Sequence, residues 1–499
     1  MNDISAKQKH PKGLMVLFFT EMWERFSYYG MRALLVLYLT AELMSGGFGL
    51  DRAAALQIYA IFTGLVYLTP IPGGFLADKY LGQRKAVYIG AFLMAIGQFF
   101  MAWSEFGQIE MREFFRNNGL GLIIVGTGFF KANISTIVGN LYSENDKRKD
   151  SAFTIFYMGI NIGALLGPII AGTMGESIDW FWGFSAAGVG MLISTVWFFV
   201  QRDKLGTAGM PPNRKLKEGE TYYKLTNGDR FDILYYIIGS LVLVWGIIEL
   251  WSNISELSKD ILSWSLAIVG GGFLAYVIYK NTEGKQAWSR MSVIFILAIF
   301  NIFFWSGYEQ AGGTFNLFAE ESTNRVTAWF EIPATLFQSV PALYIILFAL
   351  PFAALWLRLN VIGKEPRTPV KFALGLILMS IGFIIMNKAA QTAGDGYLVS
   401  PMWLLMVYFM HTMGELMLSP IGLSMITKLA PQKIVSIMMG VWFGSIAAAN
   451  YMAGILESIL HTYLPDMHLF AFLTISTLST GVLLLLISPL LNKMMKGVH

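Results

Sequence analysis

The stretch E-M-W-E-R at residues 21–25 lies inside an apolar segment that runs from residue 14 to residue 40. The segment is long enough to span a bilayer as a helix. At about 100° per residue, one face of that helix carries Glu21, Glu24, Arg25, Tyr28 and Arg32. A single charge at bilayer depth costs about 3 kcal/mol on insertion scales, so these charges must be paired or placed in a polar cavity. The pattern predicts a functional site on a membrane-spanning helix.

The overall composition is typical of an integral membrane protein. The chain has 499 residues, of which 55% are hydrophobic and 14% charged, whereas soluble domains carry about 25% charged residues. It has no cysteine and five scattered histidines, so we expect no disulfide, no metal site and no other cofactor. The net charge of +4 sits in the loops, which fits orientation in a membrane better than nucleic-acid binding.

About fourteen apolar segments follow one another along the chain. The first six lie near residues 14–40, 53–77, 86–103, 117–141, 152–174 and 180–200. A polar stretch, 201–230, precedes two further segments near 231–252 and 261–279. The last six lie near 290–318, 331–357, 370–389, 399–427, 434–460 and 467–491. The prediction is an all-α membrane protein with an amino-terminal six-helix bundle (14–200), a linker with two additional helices (201–289) and a carboxy-terminal six-helix bundle (290–491).

The loop charges predict the orientation of these helices. Basic residues lie after even-numbered segments, as do Lys79, Arg84 and Lys85 after the second. Loops after odd-numbered segments are acidic or sparse, as with Glu42 and Asp51 after the first. By the positive-inside rule, both termini are predicted to be cytoplasmic.

The loop after the second segment carries the motif G-G-F-L-A-D-K-Y-L-G-Q-R-K at residues 73–85. Its glycines allow close helix approach and a tight reversal, and the prediction is that Asp78 and Arg84 can pair with each other and meet neighbouring helix ends. An ordinary positive-inside loop is the alternative interpretation. The motif resembles the cytoplasmic gate loop of the major facilitator superfamily, whose substrate site lies between two six-helix halves near the bilayer midplane.

Other motifs resemble those of the proton-dependent oligopeptide transporter family, in its bacterial form. The E-x-x-E-R pattern is the most distinctive, and residues 73–97 and 153–165 resemble two further signatures. Additional matches are Gly126–Lys131, Phe304–Gln310 and Gly414–Pro420. The resemblance implies a proton-coupled symporter that imports di- and tripeptides by alternating access across the bacterial inner (cytoplasmic) membrane, with the proton as coupling ion.

The charges inside the predicted helices are divided unevenly between the two halves. The first half has Arg25, Arg32 and Lys131 with Glu21 and Glu24, and the second has Glu309 and Glu415. These residues predict a cavity with one positive and one negative wall. Such a cavity suits a zwitterion, either a short peptide or a free amino acid.

Two sets of functional residues follow from this charge distribution and from the resemblance. Protonation of an acid in the first set is expected to weaken its hold on a basic partner. The predicted proton-coupling residues are Glu21, Glu24, Arg25, Lys131 and Glu309. The predicted substrate-binding residues, with Arg32 as the carboxylate ligand, are Arg32, Tyr28, Tyr29, Tyr67, Lys131, Asn161, Trp305, Glu309, Glu415, Ser419 and Trp442.

Simpler interpretations exist for several of these residues. The charges on the first helix could form a structural ion-pair network, Lys131 could snorkel to an interface, and the large aromatics could simply pack. His411 shares a helix face with Glu415 and is interpreted as a packing residue rather than a proton sensor. Pro341 stands where the resemblance implies a peptide-binding asparagine, which leaves peptide orientation and length preference open.

Other functions remain as alternatives. A proton-coupled exporter of drugs or metabolites on the same fold needs no site polarised for zwitterions. A carrier of nitrate or another small anion is disfavoured because Glu309 and Glu415 would repel it. A non-transporting receptor or an intramembrane enzyme is the least favoured alternative, because the sequence offers no nucleophile–base pair or metal set. The expected partners are di- and tripeptides, protons and the lipid bilayer, with no nucleic acid and no obligate protein partner.

Overall fold

The computed structural model of the chain is almost entirely helical. It describes residues 9–143, 146, 148–212, 214–253, 271–272, 274–393, 397–431 and 434–495. Within these ranges, β-structure is limited to two isolated bridges, Thr323 with Val399 and Val326 with Glu331. The helical architecture follows from the long apolar segments, because a helix satisfies its own backbone hydrogen bonds in lipid.

Sixteen α-helices have both ends within the described residues, and they are numbered in chain order. The first nine are α1 (Lys12–Thr40), α2 (Arg52–Leu68), α3 (Pro70–Leu76), α4 (Gln83–Trp103), α5 (Ile109–Asn140), α6 (Lys149–Gly167), α7 (Thr173–Ser177), α8 (Trp180–Gln201) and α9 (Asn227–Asn253). The following seven are α10 (Gly284–Tyr308), α11 (Thr314–Ser322), α12 (Val340–Val361), α13 (Thr368–Thr392), α14 (Met402–Leu429), α15 (Val435–Tyr463) and α16 (Leu469–Met495).

Eleven helical stretches of the described residues are long and apolar enough to cross a membrane. They coincide with eleven of the predicted segments. Two other predicted segments, 14–40 and 399–427, are the helices α1 and α14. Most of the predicted segment 261–279 lies outside the described residues.

The chain forms two compact units. The first comprises Met1–Leu50 and Leu68–Trp245, and the second comprises Asp51–Tyr67 and Gly246–His499. The boundary between residues 245 and 246 falls inside the predicted linker part, 201–289, and most of α2 groups with the second unit. The three predicted domains stay a prediction. The chain returns to the first unit at Leu68, the last residue of α2. Helix α3 begins two residues later at Pro70, because proline supplies no N–H with which α2 could continue.

Small residues allow the helices of the first unit to pack closely. Helix α1 packs against α6 and α8, and α4 packs against α5. A Cβ added at Gly163 of α6 would lie 2.2 Å from the backbone oxygen of Met22, and one at Gly90 of α4 would lie 2.4 Å from that of Gly126. Close backbone approach through small residues is a common way for membrane helices to associate. It brings α6 directly onto the charged part of α1.

The second unit is organised around α10 and α13. Helix α10 packs against α15 and α16, and α13 packs against α14 and α16. Helix α2 begins with a side-chain cap, because Asp51 Oδ1 accepts a hydrogen bond from the Ala54 N–H at 2.9 Å. It packs on α15 at Gly454, where an added Cβ would lie 2.6 Å from the backbone oxygen of Leu56.

Candidate functional site

The acidic and basic side chains of α1 form a buried ion cluster. Glu21, Glu24 and Arg25 are each at most 3% exposed. The Arg25 guanidinium donates two hydrogen bonds to Glu24, one of them from Nη2 at 2.7 Å. Its Nε also lies 3.2 Å from Glu21 Oε1. One guanidinium therefore compensates two buried carboxylates, as the i, i+4 spacing of Glu21 and Arg25 allows.

Two further cations belong to the same unit. Lys131 of α5 is partly buried, and its charge attracts that of Glu21. Arg32 is buried two turns beyond Arg25, with its guanidinium carbon 5.7 Å from the centre of the Tyr29 ring. Three bases and two acids leave this group with a formal surplus of one positive charge. A buried surplus of this sign can attract an anionic group of a ligand.

Two tyrosines contact the cations of α1, and Asn161 lies in the adjacent helix α6. The Arg25 guanidinium stacks 5.2 Å from the centre of the Tyr28 ring, and Tyr28 contacts Tyr29 edge to face. Asn161 is buried in α6, where its Nδ2 donates to the Tyr157 carbonyl at 2.9 Å. The structure thus brings Tyr28 and Tyr29 to the cations of α1. Tyr67 is partly buried and belongs to the second unit.

The second unit brings Glu309 and Glu415 together. Both are buried, and their charges repel each other. The phenol of Tyr308 donates a hydrogen bond to the Glu415 carboxyl group. Glu309 and Tyr308 lie where α10 ends in a short 3₁₀ turn, Glu309–Gly312. Two neighbouring carboxyl groups can hold a proton or an ammonium group, since either one reduces their mutual repulsion.

The predicted tryptophans occupy different environments in the second unit. Trp305 is partly exposed and contacts the Tyr308 ring edge to face at 5.2 Å, which places it beside the two acids. Trp442 is buried against Phe372 and fills the space at Gly422, where an added Cβ would lie 2.3 Å from the indole. Ser419 lies in α14, but its side chain is outside the described part of the structure.

His411 and Pro341 occupy structural positions. The His411 ring is buried between Phe315 and Phe383, with ring centres 5.8 and 4.7 Å away. This contact supports the interpretation of His411 as a packing residue. Pro341 lies in the first turn of α12, where proline needs no backbone donor.

The loop between α3 and α4 differs from its prediction. Among the described residues Asp78 and Arg84 do not pair, so that expectation is wrong. Asp78 is exposed and accepts a hydrogen bond from Gln83 Nε2 at 2.7 Å. Arg84 is buried and donates to backbone carbonyls of the linker. A buried guanidinium can be satisfied by carbonyls alone, and the sequence pattern carries no signal for that outcome.

Two groups of charged or polar residues were not predicted as site residues. Arg52 at the start of α2 forms ion pairs with Glu321 at 2.9 Å and with Glu457 at 2.7 Å. Tyr308, which binds Glu415, was noted only as part of a motif. The position of Tyr308 beside Glu309 could have suggested a role, whereas the partners of Arg52 are hundreds of residues away in the chain.

The chain is similar to known proteins over nearly its whole length. Residues 84–466 match the family model PTR2, described as the POT family. Peptide transporter YePEPT of Yersinia enterocolitica subsp. palearctica serotype O:3 (strain YE-P4) is 38% identical over 491 residues, covering 96% of this chain and 94% of the relative. The di-/tripeptide transporter of Lactococcus lactis subsp. lactis (strain IL1403) is 33% identical over 499 residues, covering 98% and 97%. A crystal structure of peptide transporter POT in complex with sulfate is 36% identical, with a TM-score of 0.82, and the match covers 98% of this chain and 96% of that chain.

The fold and the buried charges therefore define a membrane transport protein with the major facilitator fold. The chain belongs to the POT family, which is a family of transporters. The family and the fold predicted from the motifs are both confirmed.

Proposed function

We propose that the protein is a proton-coupled symporter that imports di- and tripeptides by alternating access. Family membership supports this substrate class, because the relatives are named as peptide and di-/tripeptide transporters. The observation that carries the proposal is one group of buried charges in each unit: Arg32 beside the ion cluster of α1 in the first, and Glu309 with Glu415 in the second. A peptide has a carboxylate and an ammonium group, so its two ends need partners of opposite charge.

Arg32 is proposed to bind the peptide carboxylate. It is buried on α1 within the group that has the positive surplus, and a guanidinium can bind a carboxylate with two parallel hydrogen bonds. Glu309 and Glu415 are proposed to bind the ammonium group. Tyr308 supports that role because its hydrogen bond to Glu415 holds the carboxyl group in place.

The ion cluster of α1 is proposed to be the proton switch. Glu21 and Glu24 share Arg25, so a proton on either acid weakens its attraction to the guanidinium. Lys131 interacts electrostatically with Glu21, which places it in the same switch. If these pairings differ in strength between outward-open and inward-open states, protonation shifts the balance between the two states. The proton is then the coupling ion, and no other cofactor takes part.

The proposed location is the inner (cytoplasmic) membrane of a bacterium, with both chain termini in the cytoplasm. The bacterial relatives support the location. The basic loops after even-numbered segments support the orientation of the termini.

Proton influx driven by a peptide tests this function most directly. Protein in liposomes that contain a pH-sensitive dye should acidify the lumen when dialanine is added outside under an inside-negative potential. A protonophore should abolish accumulation of labelled dialanine and spare exchange. Dialanine transport without proton movement would refute the coupling, and outward pumping of protonated substrates would favour an exporter.

Arg32→Ala tests the role of the carboxylate ligand. It should weaken competition by dialanine more than competition by dialanine amide, because the amide lacks the charge that Arg32 is proposed to bind. Arg32→Lys is the matched control, since it retains the charge and should restore part of the difference. Equal losses for the two ligands would show that Arg32 has a structural role.

A further inference from the structure

The start of α4 holds two buried cations whose partners lie in the linker and in α9. Arg84 is 1% exposed and Lys85 is 4% exposed. Neither residue is used by the transport mechanism proposed above. Both belong to the first unit, as do the linker and the described start of α9.

Arg84 is enclosed by the linker backbone. Its Nε donates to the Ala208 carbonyl at 2.5 Å, its Nη2 to that of Gly206 at 2.8 Å and its Nη1 to that of Tyr223 at 3.3 Å. The Tyr223 ring lies 5.6 Å from the guanidinium carbon, and the Tyr223 N–H donates to the Gly206 carbonyl at 2.9 Å. The guanidinium thus holds two distant parts of the linker in one place.

The backbone before Arg84 fits closely against the same linker. Gly82 has φ of 78°, and an added Cβ would lie 2.5 Å from the nitrogen of Pro211. The Arg84 N–H donates to the Gly209 carbonyl at 3.2 Å. Glycine is required at residue 82 both by the positive φ and by the close approach.

Lys85 joins this region to the first turns of α9. Its Nζ lies 2.8 Å from Asp229 Oδ1 and 2.8 Å from Asp232 Oδ2. Asp229 Oδ2 also accepts hydrogen bonds from the Thr226 N–H at 2.7 Å and from its hydroxyl at 2.8 Å. One lysine therefore connects α4 to a carboxylate that also orders the entry to α9.

Apolar contacts continue the attachment along α9. Ile237 is buried with Ala77, Leu81 and Ala86 in one cluster, and Ile233 packs against that cluster. Further along α9, an added Cβ at Gly239 or Gly246 would meet no described atom within 4 Å. Leu241 packs against the same cluster. The attachment therefore begins at the end of α9 that carries Asp229 and Asp232 and continues along one face of the helix.

We propose that residues 206–212 and 214–232 form a clamp that holds the α3–α4 loop through Arg84 and Lys85. This clamp makes the additional helix α9 a positioning element for the transport cycle. A linker held by three carbonyl hydrogen bonds and a double ion pair transmits motion of the loop to α9. A loosened clamp lets the loop move independently of α9, which slows the conversion between transport states and leaves peptide affinity unchanged. The effect on transport rests on the proposed function, whereas the clamp itself does not.

Cysteine labelling tests the clamp independently of transport, because the natural chain contains no cysteine. Ala208→Cys places a thiol at a buried position, and Thr207→Cys places one at the neighbouring exposed position as a matched reference. In the Ala208→Cys background, Lys85→Gln should raise the labelling rate about tenfold. That increase is expected when the free energy of local opening of the linker falls by roughly the contribution of one charge-assisted hydrogen bond. Labelling at Thr207→Cys should not change.

Transport and peptide binding are then measured on the same variants. Lys85→Gln and Asp232→Asn should each lower the maximal uptake rate severalfold and leave competition by dialanine unchanged. The double variant Lys85→Asp/Asp232→Lys, which reverses the charges of the pair, should restore part of the rate. Glu218→Gln, which alters an exposed acid of the same linker, is the control.

Unchanged labelling would refute the clamp. Faster labelling with normal uptake, or equal loss of binding and uptake, would refute the positioning role. Absence of all peptide transport by the unaltered protein would refute only the function.

Discussion

Arg25 and Arg84 are both buried guanidinium groups of the first unit, but they are satisfied by different kinds of partner. Arg25 binds two carboxylates of its own helix, one and four residues away. Arg84 binds three backbone carbonyls that lie more than 120 residues further along the chain. The first arrangement can exchange a proton, since its acceptors are titratable. The arrangement around Arg84 cannot exchange a proton, because backbone carbonyl oxygens do not titrate. It therefore suits a permanent attachment.

The largest effect is expected from Arg25→Ala. The change leaves Glu21 and Glu24 buried without their shared cation, and breaking a buried ion pair from one side costs about 3–5 kcal/mol. Gradient-driven uptake should be lost and the melting temperature in detergent should fall. Arg25→Lys, which retains the charge and loses the bidentate geometry, should be intermediate. Normal accumulation by Arg25→Ala would remove this cluster from the proton switch.

A smaller effect is expected from Gly163→Ala, which alters the support of the Arg25 cluster. The new methyl group would lie 2.2 Å from the Met22 backbone oxygen and 2.8 Å from the Arg25 Cβ. Overpacking of this kind costs about 1–3 kcal/mol and separates α6 from α1. Uptake and thermal stability should both decrease. Gly239→Ala on α9, with no described atom within 4 Å of the new Cβ, is the control and should leave both unchanged.

Arg84→Lys should affect the linker more than peptide transport. Lysine keeps the charge, but it presents a single ammonium group where the guanidinium contacts three separated carbonyls, so we expect a loss of about 1–3 kcal/mol in local stability. Limited trypsin digestion should cut faster between residues 202 and 217. Gradient-driven uptake should be slowed rather than lost, in contrast to Arg25→Ala. A linker that resists trypsin as well as the unaltered protein would show that the carbonyl contacts contribute little.

The smallest effect is expected for a local pair on the surface. Arg148 contacts Asp146 at 2.7 Å, and its hydrogen bonds lower the pKa of the Asp146 carboxyl to about 2. The stabilising contribution is therefore present above the ordinary aspartate pKa of 3.8 and is lost as the pH falls toward about 2. Asp146→Asn should lower the melting temperature slightly at pH 7, because ion pairs near the surface contribute little even when they are partly buried. The difference from the unaltered protein should shrink at pH 3. A constant difference would assign the effect to the hydrogen bond that the Arg148 backbone N–H donates to Asp146 Oδ1 at 2.9 Å.

The two arginines also show how far prediction from the sequence reaches. Glu21, Glu24 and Arg25 share a helix face, so their proximity follows from helical geometry, and the structure places them in contact. The expected pairing of Asp78 with Arg84 relied on similar closeness in the chain and was wrong. Linker carbonyls are present at every residue, so no side-chain pattern marks Gly206, Ala208 and Tyr223 as partners of Arg84.

The amino-acid sequence by itself determined the membrane class, most of the helices, the family and the residues with intramembrane charge. It could do so because apolar length, helical periodicity and motif spacing are local properties of the chain. Tertiary structure alone decided that Tyr308 binds Glu415, that Arg52 pairs with Glu321 and Glu457, and that α9 is attached through Lys85. These contacts depend on how distant helices pack, and packing is set by shape complementarity such as the approach of Gly163 to Met22.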